Sequence, residues 1–166
     1  MKKIQPKPGQ ESVWDYPRPP ALESCAGKEI VVKIRGQVLV QTTAAFRVLE
    51  TSHPPTYYLP FEDTELEWLK ESPHRSWCEW KGEAAYFSIV DPKSSEVIAE
   101  NAIWYYPKPT QRFAQLRRTL AIYPSRVESC EVAGKLVESQ EGDFYGGWIT
   151  PDIVGPFKGA PGTYGW

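Results

Sequence analysis

Short β-branched runs that end on turn-forming residues recur along this chain, and they limit its fold more than any other feature. Ile30-Val31-Val32-Lys33-Ile34-Arg35 is followed by Gly36 and then Val38-Leu39-Val40, a hairpin pattern. Ala84 to Val90 and Val97 to Tyr106 flank Asp91-Pro92-Lys93-Ser94-Ser95, which reads as a second antiparallel pair. Val127 to Val132 and Lys135 to Ser139 flank Ala133-Gly134, a connection suited to a two-residue turn. Helical signals are few. Thr64 with Glu67 forms a capping box ahead of Leu66, Trp68 and Leu69, with Pro73 closing the segment, and Thr110 is placed to cap a second helix carrying Phe113 and Leu116. The expectation is a mainly β fold: a compact antiparallel two-sheet structure, sandwich or barrel-like, with one or two short helices.

The 166 residues fit one domain. Residues 1–28 hold Pro6, Pro8, Pro17, Pro19 and Pro20, a density that opposes both helix and ladder, so they read as an extended arm. Trp14 and Tyr16 argue that this arm packs on the body, since a solvated tail has little use for large rings. Residues 29–166 then form a single β domain. Its last part, from Gly142, is rich in glycine yet carries Phe144, Tyr145, Trp148, Phe157, Tyr164 and Trp166, so it reads as a packed loop that closes over the sheet.

Net charge is −2, and the lysines and arginines are dispersed without a basic stripe, so nucleic acid is not an expected partner. No run approaches the roughly 20 apolar residues that cross a bilayer, and Met1-Lys2-Lys3-Ile4-Gln5-Pro6 has no apolar stretch behind its lysines, so neither a membrane span nor a secretory signal is expected. Cys25, Cys78 and Cys130 are widely spaced, without a CxxC pair, which suits reduced thiols in the cytoplasm better than disulfides or a metal knuckle. No cofactor and no metal is called for.

Three strings are too particular for generic core, Thr51-Ser52-His53-Pro54-Pro55-Thr56-Tyr57-Tyr58-Leu59-Pro60, Trp77-Cys78-Glu79-Trp80-Lys81-Gly82 and Gly142-Asp143-Phe144-Tyr145-Gly146-Gly147-Trp148, and Gly155-Pro156-Phe157-Lys158-Gly159-Ala160-Pro161-Gly162-Thr163 joins them as a fourth motif. With these motifs in this order, the chain from about Val13 onward resembles bacterial members of the family known as domain of unknown function 427. That resemblance implies an all-β fold of the β-tent kind, similar to methionine sulfoxide reductase B domains and the thalidomide-binding domain of cereblon. Many β-tent relatives hold a cysteine-bound zinc; this chain lacks both CxxC knuckles, so zinc is not implied. Where the family usually has Ala-Trp and Phe-Tyr-Pro, this chain has Ile103-Trp104 and Ile122-Tyr123-Pro124.

The family's functional label sometimes reads nucleotidyltransferase-type, and the residues do not support it. Nucleotide transfer needs carboxylates for Mg²⁺ and donors that cradle phosphate. Asp63, beside Glu62 and Glu65, has no Asp-x-Asp spacing, and Gly155 to Gly162 with Lys158 has no Gly-Lys-Ser/Thr, while Pro156 and Pro161 each remove a backbone donor.

Two kinds of site stay open. Aromatic residues beside the motifs, namely Tyr57, Tyr58, Trp80, Trp104, Tyr145 and Trp148, suit a pocket for a flat or cationic small-molecule ligand, with a structural core of rings as the bland alternative. Tyr86 and Tyr106 lie close to the same motifs. The second is an enzyme using His53, Cys78, Glu79 or Lys81, where Cys78 and His53 would make a thiolate–imidazole pair if the fold joins them, against the commoner inert buried cysteine. In a strand Cys78 and Trp80 would face one way and Glu79 and Lys81 the other. A protein-interaction module is the third reading of the aromatic patch.

Overall fold

The computed structural model describes residues 1–166. Its strands are β1 (Glu11–Ser12), β2 (Ala21–Ser24), β3 (Ile30–Ile34), β4 (Gln37–Thr42), β5 (Phe46–Leu49), β6 (Thr56–Pro60), β7 (Leu69–Cys78), β8 (Gly82–Val90), β9 (Val97–Tyr105), β10 (Thr119–Ile122), β11 (Ser129–Val132), β12 (Lys135–Leu136), β13 (Glu138–Ser139), β14 (Trp148–Ile149) and β15 (Ile153–Val154). The three expected hairpins all form: β3–β4, β8–β9 and β11–β12. Arg35-Gly36 and Ala133-Gly134 take positive φ at both positions, 47° and 74° in the first and 50° and 79° in the second, the backbone twist that suits a two-residue hairpin turn.

Two sheets dominate. One has seven strands in the order β2-β5-β6-β10-β9-β8-β7, the other four in the order β12-β11-β3-β4. Small pairs complete the architecture: β13 with β14, and β1 with β15, the latter parallel.

Side-chain alternation decides what each face of the seven-stranded sheet does. In the row Phe87–Ile103–Ile122 across β8, β9 and β10, and in the facing pair Leu59–Leu120, the side chains point toward the four-stranded sheet. There they meet Ile30, Val32, Leu39, Val40 and Cys130 in the main core. Ile103, Ile122, Leu59 and Leu120 are fully buried, each contributing up to about 3 kcal/mol by removing apolar surface from water. The next row, Tyr86–Trp104–Ala121, points the opposite way and joins Tyr58, Tyr106, Phe113 and Leu116 in a second cluster on the outer face.

The helical expectations need correction, since every helical turn is a short 3₁₀ piece. The proposed capping box at Thr64 does not form: the turn covers only Leu66–Trp68, begins on Glu65, and has no side-chain cap. Thr64 instead donates its hydroxyl to the Pro60 carbonyl. Leu69 already starts β7, which runs through Pro73 because the ladder with β8 slips between Ser72 and Arg75, so proline sits at a bulge where no ladder donor is required. Thr110 precedes a 3₁₀ stretch, Gln111–Leu116, again without a side-chain cap, although Phe113 and Leu116 are buried as their spacing suggested.

In residues 1–28, Ala21–Ser24 form β2, an edge strand paired antiparallel with β5 directly after the last of the three clustered prolines. Trp14 donates its indole N–H to the Pro156 carbonyl at 2.8 Å. Buried Arg47 on β5 binds Glu11 at 2.5 Å and Glu23 at 2.8 Å, and the Tyr16 hydroxyl donates to Glu11 at 2.7 Å. These bonds raise the Arg47 pKa despite its burial, so the guanidinium stays charged and ties the N-terminal residues to the sheet.

Glu11 and Glu23 are 40% and 48% exposed against 9% for Arg47, so water screens the carboxylates and removing the arginine costs less than in a wholly buried pair. Arg47→Met is expected to lower unfolding stability by about 2 kcal/mol in urea titration, and Glu23→Gln by less than half of that.

Candidate functional site

The outer face of the seven-stranded sheet carries a cavity of about 810 Å³, within the range of small-ligand pockets. Its floor is set by strand alternation: Val48 from β5, Tyr58 from β6, Tyr86 from β8, Trp104 from β9, and Tyr106 just beyond β9. One wall is the β7 end, where His74, Arg75, Ser76, Trp77 and Cys78 lead to Lys81 in the following turn. A second is the β5–β6 connection with Glu50, His53 and Pro54, where the two prolines hold the imidazole close to the strand. Tyr123, Arg126, Asp143, Phe144, Tyr145 and Lys158 close the remaining side. Trp77 and Phe144 are exposed, so apolar rings stand at the cavity mouth.

Buried Gln140 clamps this last wall. Its side-chain amide donates to the Lys158 carbonyl at 2.7 Å, lies 3.5 Å from His53 Nδ1, and its carbonyl accepts from the Gly147 amide at 3.1 Å. Gly146 is the point of closest approach: a Cβ there would lie 2.6 Å from the Trp104 ring and 3.0 Å from the Tyr123 ring, and its φ is +70°. Asp143, Phe144, Tyr145 and Lys158 are thereby held as one wall of the cavity.

Electrostatics separates the polar groups. His53 is buried, its ring 4.5 Å from Tyr145 and its Nε2 3.8 Å from Glu50. Burial, reinforced by Lys158, Arg18 and Lys81, pushes its pKa down to about 4, so the imidazole is neutral at physiological pH. Burial also raises the pKa of Tyr58, Tyr106 and Tyr123, keeping all three as neutral phenols able to donate or accept. Burial pulls Lys81 down, but its linked titration with Tyr58 and Cys78 and the charge of Glu50 leave its pKa above the ordinary value, so it stays an ammonium, 5.8 Å from the Tyr106 and Phe113 ring centres. Lys158 Nζ lies 5.1 Å from the Tyr145 ring centre.

Of the residues singled out from sequence, His53, Tyr58, Cys78, Lys81, Trp104 and Tyr145 meet around this cavity. Four do not. Tyr57 and Trp148 belong to the main core on the opposite side of the sheet, with rings 4.9 Å apart and the Trp148 indole N–H donating to the Ile122 carbonyl at 3.0 Å. Tyr57 and Tyr58 are strand neighbours, so only one of them can face the cavity. Trp80 packs half-buried against the outer cluster without lining the cavity, and Glu79 is exposed. The expected alternation through Cys78, Glu79, Trp80 and Lys81 fails because β7 ends at Cys78, and the turn beyond it swings Lys81 inward and Glu79 out. Glu50, Arg126, Gln140 and Asn101 carry no local motif that marks them in the sequence, and Tyr123 is marked only by its place in Ile122-Tyr123-Pro124. In the sequence Lys158 stands out only within an incomplete phosphate loop, and His74 carries no local signal. Among groups of three or more His, Cys, Asp or Glu side chains, none is arranged to hold a metal.

The family described as Domain of unknown function (DUF427) matches residues 21–133, more than half of the chain. The chain belongs to the DUF427 family. The nucleotidyltransferase label attached to that family is only a name. No curated protein matches the chain. The matched DUF427 segment supplies the cavity floor and the walls from β7 and from the β5–β6 connection, while Gln140, Tyr145 and Lys158 lie beyond it.

His53 in the unfolded chain takes up a proton near its ordinary pKa of 6.5, but in the fold only near 4. Its contribution is thus complete above pH 6.5 and lost as pH falls toward 4, by up to about 3 kcal/mol. Chemical denaturation of the wild type and His53→Gln at pH 7 and pH 4.5 should show a smaller acid loss in the variant. Gly146→Ala adds a Cβ against Trp104 at positive φ and is expected to cost about 2 kcal/mol, with the Trp104 indole N–H resonance displaced.

Proposed function

We propose that this DUF427 protein binds a small, flat organic molecule in the outer-face cavity. The observation that carries this is the convergence of Tyr58, Tyr86, Trp104, Tyr106, Tyr123 and Tyr145, from separate parts of the chain, around a space that their packing on one another leaves open. In a purely structural core these rings would fill the volume, because protein interiors pack to crystal density. The rings supply contact area at little entropy cost, and neutral phenols with neutral His53 supply hydrogen bonds that fix orientation. A cationic ligand is less favoured than a flat one, since Lys81 already stands over Tyr106 and Lys158 over Tyr145. The three cysteines are free thiols, which fits the reducing cytoplasm in which we place the protein. No helix is long and apolar enough to cross a membrane.

An enzyme is the second reading, favoured by the presence of His53, Cys78 and Lys81 on the same cavity wall system. Binding ranks first because the His53 ring is engaged by Gln140 and Glu50 and not by Cys78.

Indole N–H resonances give a direct test, because Trp104 lines the cavity and Trp148 is sealed in the main core. In a nuclear magnetic resonance screen of flat aromatic fragments, hits should shift Trp104 and leave Trp148 unmoved, and Tyr123→Leu should weaken them about tenfold. Hits that move Trp148 alone, or none that moves Trp104, would remove the proposal.

A further inference from the structure

We infer that the cavity's ligand carries an oxyanion, a carboxylate or a phosphate, met by the ammonium groups of Lys81 and Lys158. The inference rests on the cavity being a binding site, and it adds the charge of the occupant.

Charge pairing around the cavity points to it. Three carboxylates line the space: Glu50, Glu100 and Asp143. Two are already matched, Glu50 to Arg18 at 3.3 Å and Asp143 to Arg126 at 3.4 Å, and Asp143 also accepts from the Ser125 hydroxyl. Glu100 is exposed and stands outside every ion pair. Four fixed cations line the same space: Arg75, Lys81, Arg126 and Lys158. Arg126 is taken by Asp143, and Arg75 donates to the carbonyls of Ser72 and His74 on its own strand. Lys81 and Lys158 have no carboxylate partner, although the chain holds 21 acidic residues against 19 lysines and arginines.

An ammonium drawn out of water without a counter-charge is unfavourable, and Lys81 lies against aromatic faces, while Glu50, the carboxylate that acts on it, is already paired with Arg18. Lys158 stands over Tyr145, whose ring lies 4.5 Å from the His53 ring, and Lys81 is also near enough to act on that imidazole, so both ammonium groups face the His53 end of the cavity. His53 there is neutral and adds a hydrogen-bonding group without adding charge. A flat ligand with a terminal oxyanion would place its ring among Tyr58, Trp104 and Tyr123 and its charge at this end, supplying the counter-ion that the chain does not.

Four probes with one naphthalene ring separate charge from shape: 1-naphthoate, 1-naphthyl phosphate, 1-naphthamide and 1-naphthylmethylammonium, each titrated against the full chain by the Trp104 indole N–H shift. The two anions are expected to bind at least about tenfold more tightly than the amide, with the ammonium probe weakest. The tighter of the two anions tells whether the group is a carboxylate or a phosphate. Lys81→Met and Lys158→Met keep the apolar stems on their rings and should each cut anion affinity about tenfold while leaving the amide unchanged, and Lys81→Arg should retain it. Thermal unfolding of each variant shows that the fold is intact. Equal affinity for amide and anions, or anion binding unchanged in both methionine variants, overturns the oxyanion inference and leaves the binding cavity standing. Failure of all four probes to move Trp104 overturns the cavity as a site for flat ligands and the inference with it.

Discussion

Everything in this structure depends on the seven-stranded sheet being asked to bury both of its faces. Most antiparallel sheets keep one face in water and alternate polar with apolar residues. Here β6, β9 and β10 carry large apolar or aromatic residues at successive positions, as in Tyr57-Tyr58-Leu59 and Ile103-Trp104. The inner positions are covered by the four-stranded sheet. The outer positions have no second sheet to meet, so loops must cover them, and loops close less tightly than a sheet. The cavity is what remains between the outer rings and the loops that wall them.

That division explains why neighbouring tyrosines have opposite fates. Tyr57 packs on Trp148 in the core, where burial pushes its pKa up to about 12, while Tyr58 faces the cavity floor. It also explains the glycine pattern near the C-terminus. At Gly146 the backbone must lie against the Trp104 and Tyr123 rings, and at Gly147 a Cβ would lie 2.6 Å from the Gln140 side chain that ties this wall to His53 and Lys158. A side chain at either position would fill the cavity edge or break the clamp.

The polar wall follows a different logic from the floor. Glu50 and Asp143 are drawn off by arginines, Glu100 is exposed, and the lysines are left against rings. Placing Lys81 and Lys158 over aromatic faces gives each a weak attraction that needs no counter-ion and that an incoming anion does not have to break. The arrangement suits exchange of a charged ligand better than a lysine already locked to glutamate would.

The hairpins were legible from sequence because their determinants are local: β-branched runs, and turn residues such as Arg35-Gly36 and Ala133-Gly134 that accept left-handed backbone. The absence of long helices was legible for the same reason. The Thr64 capping box misled, since a three-residue turn between two strands leaves no length over which helical hydrogen bonds repay nucleation. Part of the cavity lining was also visible, in His53, Tyr58, Cys78, Lys81, Trp104 and Tyr145. What sequence could not decide was which ring of each neighbouring pair faces outward, because strand register is set by pairing partners distant in the chain. Nor could it reveal Gln140, Arg126 or the unpaired state of Lys81 and Lys158. Those are properties of charges and amides brought together across many residues, and only the tertiary structure determines which carboxylate each cation meets.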